Sequence, residues 1–415
     1  MSKKQNPADS AAQYYLSLEQ ATAKTTRGAS VSLLIICGAV LLVLGAFLCL
    51  LPKKTFSPEE NRSLTAFPDC SAEAILDGSF ASGIADFCAD QFPLRNQFVA
   101  LKAGVELALG KGQNNSVILG KDGYLIKYPQ YTEEQWHVME QNVTAAARFA
   151  QAMEKNDIPF SFYVVPRSVD INTERLPAVF DTDGLERDRE RLLATAKSDG
   201  LSVHDLTQTL RGLSEQNNIW YKTDHHWTMT GAYYAYVALA DSLGYTPYPM
   251  SDFTPETVCD SFLGTTQASS GMTWIPGEAL TLLRYDGDED FRTEIISGGQ
   301  TVRTLNGFYD FDALRTHDEY NVFLGGTNTI IRVSHPQRKD APKLVLLKDS
   351  FSQSLAPLLA RHFDLLLVDP RTYSIQSGSI LSLVQNEGAD RVLLLYGLDT
   401  LYDSYSLNKL IFGLK

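Results

Sequence analysis

The sequence predicts an α/β protein built on a mainly parallel sheet. Strand-like segments alternate with helix-like ones over 133–243 and again over 343–395, and parallel neighbours need such helical crossovers. A third observation sets this domain apart from what precedes it. Residues 31–51 carry no charge and only Ser32 as a polar side chain, enough helix at about 1.5 Å per residue to cross a bilayer.

Composition is that of a folded chain, with 44% hydrophobic and 20% charged residues among 415. A net charge of −13 without a basic cluster in the globular part argues against a nucleic-acid surface and leaves neutral or cationic partners easier to accommodate.

Taken in order, residues 1–30 form a polar tail and 31–51 the membrane helix. A cleaved signal peptide has a shorter apolar core followed by small residues, whereas Leu50-Leu51-Pro52-Lys53-Lys54 follows here. Phe47 and Leu48 stand where a lipoprotein cut before Cys49 needs small residues. We therefore read an uncleaved anchor. Lys3, Lys4, Lys24 and Arg27 before the span nearly balance Lys53, Lys54 and Arg62 after it. A cytoplasmic tail with the large domain outside is the simpler arrangement.

Residues 52–130 read as a tether, two helices over 72–109 broken at Phe92-Pro93, and a β-hairpin over 117–126 turning at Asp122-Gly123. The α/β domain then occupies 131–415. Its expected elements are helix 133–155, strand 160–165, helix 185–197, strand 201–203 and helix 230–243, then strand 343–347, helix 352–362, strand 365–368, helix 378–386 and strand 392–395. Residues 247–342 are rich in Gly, Thr, Ser and Asp and read as an irregular insertion of short strands and loops. Cys70 and Cys88 can pair in an exported domain or remain free thiols, with Cys259 left over.

Two clusters could carry chemistry. In Tyr221-Lys222-Thr223-Asp224-His225-His226-Trp227, an Asp two residues before a His can reach its ring nitrogen where the chain turns, fixing the tautomer and supporting the imidazolium. In Lys348-Asp349-Ser350-Phe351, a hydroxyl sits where a buried strand ends and a helix begins, at the carboxyl edge of the sheet and beside helix N-terminal amides. Together Asp224, His226 and Ser350 make a candidate triad. Each piece has a plainer reading: Ser350 as a helix N-cap, or Asp224, His225 and His226 with His204 and Asp205 as metal ligands. No His-Glu-x-x-His spacing occurs, and neither metal nor cofactor is expected. Adjacent histidines on a strand point in opposite directions, which makes one of the pair structural. Trp220, Tyr221, Trp227, Tyr233 and Tyr234 lie near the motif, suited either to stacking on a sugar or to core packing.

These motifs resemble those of the bacterial DHHW proteins, relatives of the SGNH-hydrolase-like proteins of alginate and other exopolysaccharide O-acetylation. The resemblance runs through Glu60-Asn61-Arg62, Phe92-Pro93-Leu94-Arg95, Gly120-Lys121-Asp122-Gly123-Tyr124-Leu125, Asp224-His225-His226-Trp227, Phe262-Leu263-Gly264, Leu324-Gly325-Gly326, Lys348-Asp349-Ser350 and Asp369-Pro370-Arg371. It implies an SGNH-hydrolase-like three-layer αβα fold, with Ser350 as nucleophile and Asp224 and His226 as its acid-base partners. It further implies Arg371 near the active site, either toward substrate or in a salt bridge to Asp369 or Asp399. Lys348 stands where SGNH proteins have Gly and Gln353 where many relatives have Asn, so Gln353 is an expected oxyanion or substrate contact, with Trp227 and Tyr221 expected at the substrate. The implied function is that of a membrane-anchored acyltransferase or esterase, chiefly O-acetylation of a cell-envelope or secreted polysaccharide through an acetyl-serine intermediate, with a membrane-bound O-acyltransferase as acetyl donor. A non-catalytic glycan-binding or assembly protein and a metal-dependent hydrolase are the alternatives.

Overall fold

The computed structural model describes residues 7–57, 62–214 and 217–414. Lys3, Lys4 and the Glu60-Asn61 pair lie outside the described residues, as do the side chains of Lys24, Arg27 and Arg62.

The chain forms two compact units, residues up to 57 with 62–99, and residues from 100 onward. In the first unit a single helix, Pro7–Leu50, continues through the polar tail into the apolar run. Its segment Ala29–Leu50 is long and apolar enough to cross a membrane, and none of it is buried. Helices Ala72–Leu76, Ser79–Asp90 and Arg95–Ala108 replace the two expected over 72–109, because the left-handed Gly78 breaks the first of them. Cys70 and Cys88 are both free.

The second unit holds an eight-stranded sheet. In chain order its strands are β1 Phe160–Val165, β2 Val203–Asp205, β3 Arg292–Ser297, β4 Gln300–Asn306, β5 Ile330–Ser334, β6 Lys343–Lys348, β7 Asp364–Val368 and β8 Arg391–Gly397. They lie side by side in the order β4-β3-β5-β7-β6-β8-β1-β2. The run from β7 to β2 is parallel, and β5, β3 and β4 add antiparallel strands at one edge. The expected mainly parallel α/β sheet is present.

The central strands are apolar on both faces because helices cover both. Leu344, Leu346, Leu393 and Leu395 face a core shared with helices α3 (Met229–Leu243) and α4 (Ser352–Leu359). Val345, Leu347, Val392 and Leu394 face the opposite core, against α1 (Glu133–Glu154), α2 (Asp183–Ser198) and α5 (Ile380–Glu387). This alternation of period two makes the three layers.

Region 247–342 departs from expectation. Strands β3, β4 and β5 come from it and extend the main sheet, so much of it belongs to the α/β domain's own framework. Only the hairpin Thr254–Phe262 with Glu278–Arg284 stands as a separate two-stranded sheet. The edge strand β4 is almost wholly exposed and reads Gln-Thr-Val-Arg-Thr-Leu-Asn, which hides the usual apolar strand signal. Strand β2 begins two residues later than expected, and Leu201 packs just before it.

Ser350 lies between β6 and α4, and α4 is pinned at its far end by aromatic rings. His362 stacks on Tyr245 with centroids 4.4 Å apart and shares a hydrogen bond of 2.7 Å with the Tyr236 hydroxyl through Nε2, while Arg361 lies over the Tyr248 ring at 3.5 Å. Burial, reinforced by the Arg361 and Arg338 guanidinium groups, pushes the His362 imidazole down to about 4. An unfolded His titrates near about 6.5, so between these values the unfolded chain binds more protons and acid destabilises the fold. The thermal midpoint of the full chain is expected to fall as pH drops through this window, and less steeply in His362→Phe. Equal slopes in the two proteins would rule out His362 as a source.

Candidate active site

The two motif loops meet at the carboxyl edge of β6, where β7 and β8 diverge to either side of it, the crevice in which open α/β sheets place their ligands. The first loop folds back on itself: Trp220 bridges Trp227, the Tyr221 N–H donates to the His226 carbonyl at 3.2 Å, and the Thr228 N–H donates to the Ile219 carbonyl at 3.0 Å. Thr228 then caps α3 through the Gly231 N–H. A Cβ on Gly231 would sit 2.2 Å from the Ile219 carbonyl oxygen, so the close return of the loop requires glycine.

At the tip of this loop Asp224 is 1% exposed and accepts four hydrogen bonds. Its Oδ1 takes the His226 backbone N–H at 2.9 Å and His226 Nδ1 at 2.5 Å. Its Oδ2 takes the Thr265 N–H at 2.7 Å and the Thr265 hydroxyl at 3.0 Å. Burial alone would raise this carboxyl, but the favourable electrostatics of the adjoining His225 and His226 imidazoles and the hydrogen bonds from His226 outweigh it and hold Asp224 well below the usual carboxylate range. Since an ionised carboxylate only accepts, His226 Nδ1 bears a proton, and in the neutral imidazole Nε2 presents its lone pair. That nitrogen lies 2.7 Å from Ser350 Oγ, so the Ser350 hydroxyl donates to it. The three residues form one hydrogen-bonded chain, Asp224–His226–Ser350. The His226 ring is held between Tyr320, stacked at 4.1 Å and 5°, and Phe351, edge-on at 5.0 Å.

The second loop is fixed by Asp349. Its buried carboxylate accepts the Phe351 N–H at 3.1 Å, the Gly397 N–H at 2.7 Å and the Thr400 hydroxyl at 2.7 Å, tying the Ser350 turn to the end of β8. The Trp227 indole links the two loops by donating to Ser354 Oγ at 2.9 Å.

A cavity of about 460 Å³ opens over this junction, lined among others by Ser350, His225, Thr265, Arg371, Lys127 and Asp399. Arg371 therefore lies at the cavity and also makes the salt bridge to Asp369, with Nε and Nη2 at 2.9 and 2.6 Å. Burial opposes the Arg371 charge, but the Asp369 hydrogen bond raises its pKa further. Lys348 is completely buried with Nζ 3.6 Å from the same Asp369. Burial lowers its pKa against the pull of that carboxylate. The lysine thus braces Asp369 from behind and does not reach the cavity.

Three expected contacts are corrected. Trp227 is 0% and Tyr221 1% exposed; Trp227 packs on Phe351 at 5.3 Å and Tyr221 on Phe262 at 5.0 Å. Both rings belong to the core beneath the site because the loop turns them inward. Gln353 is equally buried, and its amide donates to Thr327 Oγ1 at 3.3 Å within the first turn of α4. Of the other nearby aromatics, Trp220 and Tyr233 are buried too, and neither they nor Tyr234 lines the cavity.

The remaining metal candidates are dispersed. Asp205 pairs with Arg189 at 2.6 Å, and His204 stacks on Tyr163 at 4.5 Å. Asp224, His225 and His226 keep ligand atoms within 4.8 Å of one another, but the Asp224 oxygens and His226 nitrogens are already taken by the bonds above. Nor do the two histidines point apart. The chain turns between them, and their rings sit 3.8 Å apart at 39°.

Sequence reasoning missed Thr265, although the Phe262-Leu263-Gly264 motif directly precedes it. A Cβ on Gly264 would fall 2.2 Å from the Asp224 Cβ, and this close approach is what brings the Thr265 amide and hydroxyl onto the carboxylate. Tyr320 was also missed. It comes from the region read as irregular, and its ring carries no local signal.

Comparison with known proteins finds matches over parts of the chain. Residues 201–368 match the DHHW protein family, and residues 117–272 match the SGNH hydrolase-like domain of acetyltransferase AlgX. The chain is 25% identical over 218 residues to the probable alginate O-acetylase AlgJ of Pseudomonas syringae pv. tomato, covering 50% of each chain. It is 25% identical over 183 residues to that of Pseudomonas aeruginosa, covering 41% of this chain and 44% of the relative. It thus spans about half the length of the curated relatives it matches. Among solved structures, a DHHW family protein from Eubacterium siraeum superposes with a TM-score of 0.57 at 18% identity, covering 72% of this chain and 95% of that one. Bacillus cereus PatB1 superposes with a TM-score of 0.57 at 19% identity, covering 70% and 98%. These two share the fold.

Proposed function

For a chain whose relatives are DHHW proteins and SGNH-like O-acetyltransferases, we propose that it is a serine-dependent O-acetyltransferase acting on a cell-envelope or secreted polysaccharide. The observation that carries the proposal is the Asp224–His226–Ser350 chain beside the cavity, with distances of 2.5 and 2.7 Å. His226 Nε2 takes the Ser350 proton as Oγ attacks the acetyl carbonyl. The imidazolium so formed is stabilised by ionised Asp224 and returns the proton to the departing alcohol. Arg371 is the cavity residue suited to steady the oxyanion through Nη1, which has no hydrogen bond to Asp369. Acetyl-Ser350 then passes its acyl group to a sugar hydroxyl, or to water where the acceptor is missing.

Helix Ala29–Leu50 is assigned as the membrane anchor, with the catalytic domain outside the cytoplasm and a membrane-bound O-acyltransferase supplying acetyl groups. The apolar length of that helix and the polysaccharide named for the AlgJ relatives support this arrangement.

Intact-mass spectrometry of the full chain in detergent, after incubation with p-nitrophenyl acetate, tests the chemistry. One acetyl adduct mapping to the Ser350 peptide is the expected result. Folded protein that acquires no adduct would turn the assignment to a glycan-binding role.

A further inference from the structure

His225, the residue between the two triad members of its loop, takes no part in the proton path, yet its ring lines the cavity with Ser350 and its side chain is 38% exposed. Its protonation pattern follows from its neighbours. Asp224 can only accept, so the hydrogen of the Thr265 hydroxyl is committed to Asp224 Oδ2 at 3.0 Å. Thr265 Oγ1 also lies 2.7 Å from His225 Nδ1. Having no second hydrogen to give, it accepts there, so Nδ1 bears the His225 proton. The lone pair is left on Nε2, which has no hydrogen-bond partner among the described residues. Burial, and the repulsion His226 would exert once protonated, push the His225 imidazole down to about 4, so it is neutral near pH 7.

Two imidazoles thus stand side by side, both carrying Nε2 lone pairs. One is engaged by the Ser350 hydroxyl; the other is free. We infer that His225 Nε2 is an acceptor-positioning group, which takes a hydrogen bond from a second hydroxyl of the incoming sugar, adjacent to the one that becomes acetylated. The inference rests on the acetyl-Ser350 reading above. In the transfer step the attacking hydroxyl oxygen bonds to the acetyl carbon and gives its proton to His226 Nε2. The bond from that carbon to Ser350 Oγ then breaks, and the proton passes to Oγ. His225 exchanges no proton. It holds the neighbouring hydroxyl, so the site favours vicinal diols over simple alcohols and over water.

The test uses the full chain in detergent, acetylated with p-nitrophenyl acetate, with ethylene glycol or its monomethyl ether as competing acceptors. The ether keeps the oxygen but lacks the second O–H. Wild type is expected to prefer the diol by about tenfold, beyond the statistical ratio of about two for two hydroxyls against one. In His225→Asn the amide N–H still reaches Thr265, but nothing occupies the Nε2 position, and the preference is expected to fall to the statistical ratio, read within the one protein as diol against ether so that any change in the acetyl-enzyme's own reactivity cancels. His225→Gln, which carries an amide out to the Nε2 position, is expected to regain part of the preference. A wild-type ratio near two or a preference surviving in His225→Asn would each overturn the inference and leave the serine mechanism standing. Failure of the wild type to form any acetyl-enzyme would end both.

Discussion

Replacing His226 with Ala is expected to slow acetylation of Ser350 by about 10⁵–10⁶-fold, the scale on which a serine hydrolase loses activity with its general base. The proton of the Ser350 hydroxyl has one acceptor, Nε2 at 2.7 Å. The second imidazole does not replace it, because the Nδ1 of His225 is tied to Thr265 and its Nε2 is directed to the cavity in the reading given above. The measurement is the pre-steady-state release of p-nitrophenol, taken beside a thermal unfolding curve. Removing the ring also leaves a gap between Tyr320 and Phe351, worth about 2–5 kcal/mol. A folded variant that acetylates within tenfold of wild type would remove His226 from the mechanism.

Asp224→Asn is expected to cost about 10⁴-fold in the same rate, through the tautomer rather than through the fold's outline. The four donors around the carboxylate leave no good orientation for an amide. With its NH₂ group on the Oδ2 side it meets the Thr265 backbone N–H, and on the Oδ1 side the His226 backbone N–H. Either way a fixed buried donor loses its partner, at about 1–3 kcal/mol. With the NH₂ group on the Oδ1 side, His226 Nδ1 must accept from it, and the imidazole then carries its proton on Nε2, where Ser350 needs a lone pair. Stability should change with pH as well. Asp224 is depressed in the folded state, so its contribution is complete above the unfolded value near about 3.9 and is lost as pH falls toward the folded one. The Asn variant lacks that part of the acid transition. Acylation at the wild-type rate, or an unchanged acid limb, would contradict this account.

The clearest elements in the sequence were those with strong local periodicity. The buried strands Lys343–Lys348 and Asp364–Val368 are continuous apolar runs, and the helix Glu133–Glu154 has a capping box at Thr132 and Gln135. Both signals are local, so they survive without the tertiary structure. The candidate triad could be read for a similar reason. An Asp-x-His motif and a Ser at a strand-to-helix corner are short-range patterns whose chemistry is stated by residue type. Strand Gln300–Asn306 was hidden because an edge strand with polar residues on both faces carries little apolar alternation, and its inner neighbour Arg292–Ser297 has Ile295 and Ile296 as its apolar residues, side by side rather than alternating.

What the amino-acid order determined by itself was therefore the parallel α/β framework, the apolar N-terminal helix and the identity of the three residues that meet. What the tertiary structure decided was everything set by the return of the chain between the two motifs. It turned Trp227, Tyr221 and Gln353 into core supports, brought Thr265 onto Asp224, placed both histidine rings on one side and set His225 in the cavity wall. Side-chain type is written in the chain, whereas burial and hydrogen-bond polarity depend on which distant groups arrive opposite. For Asp224 and His225 those groups come from residues 264–265, some forty positions along the chain.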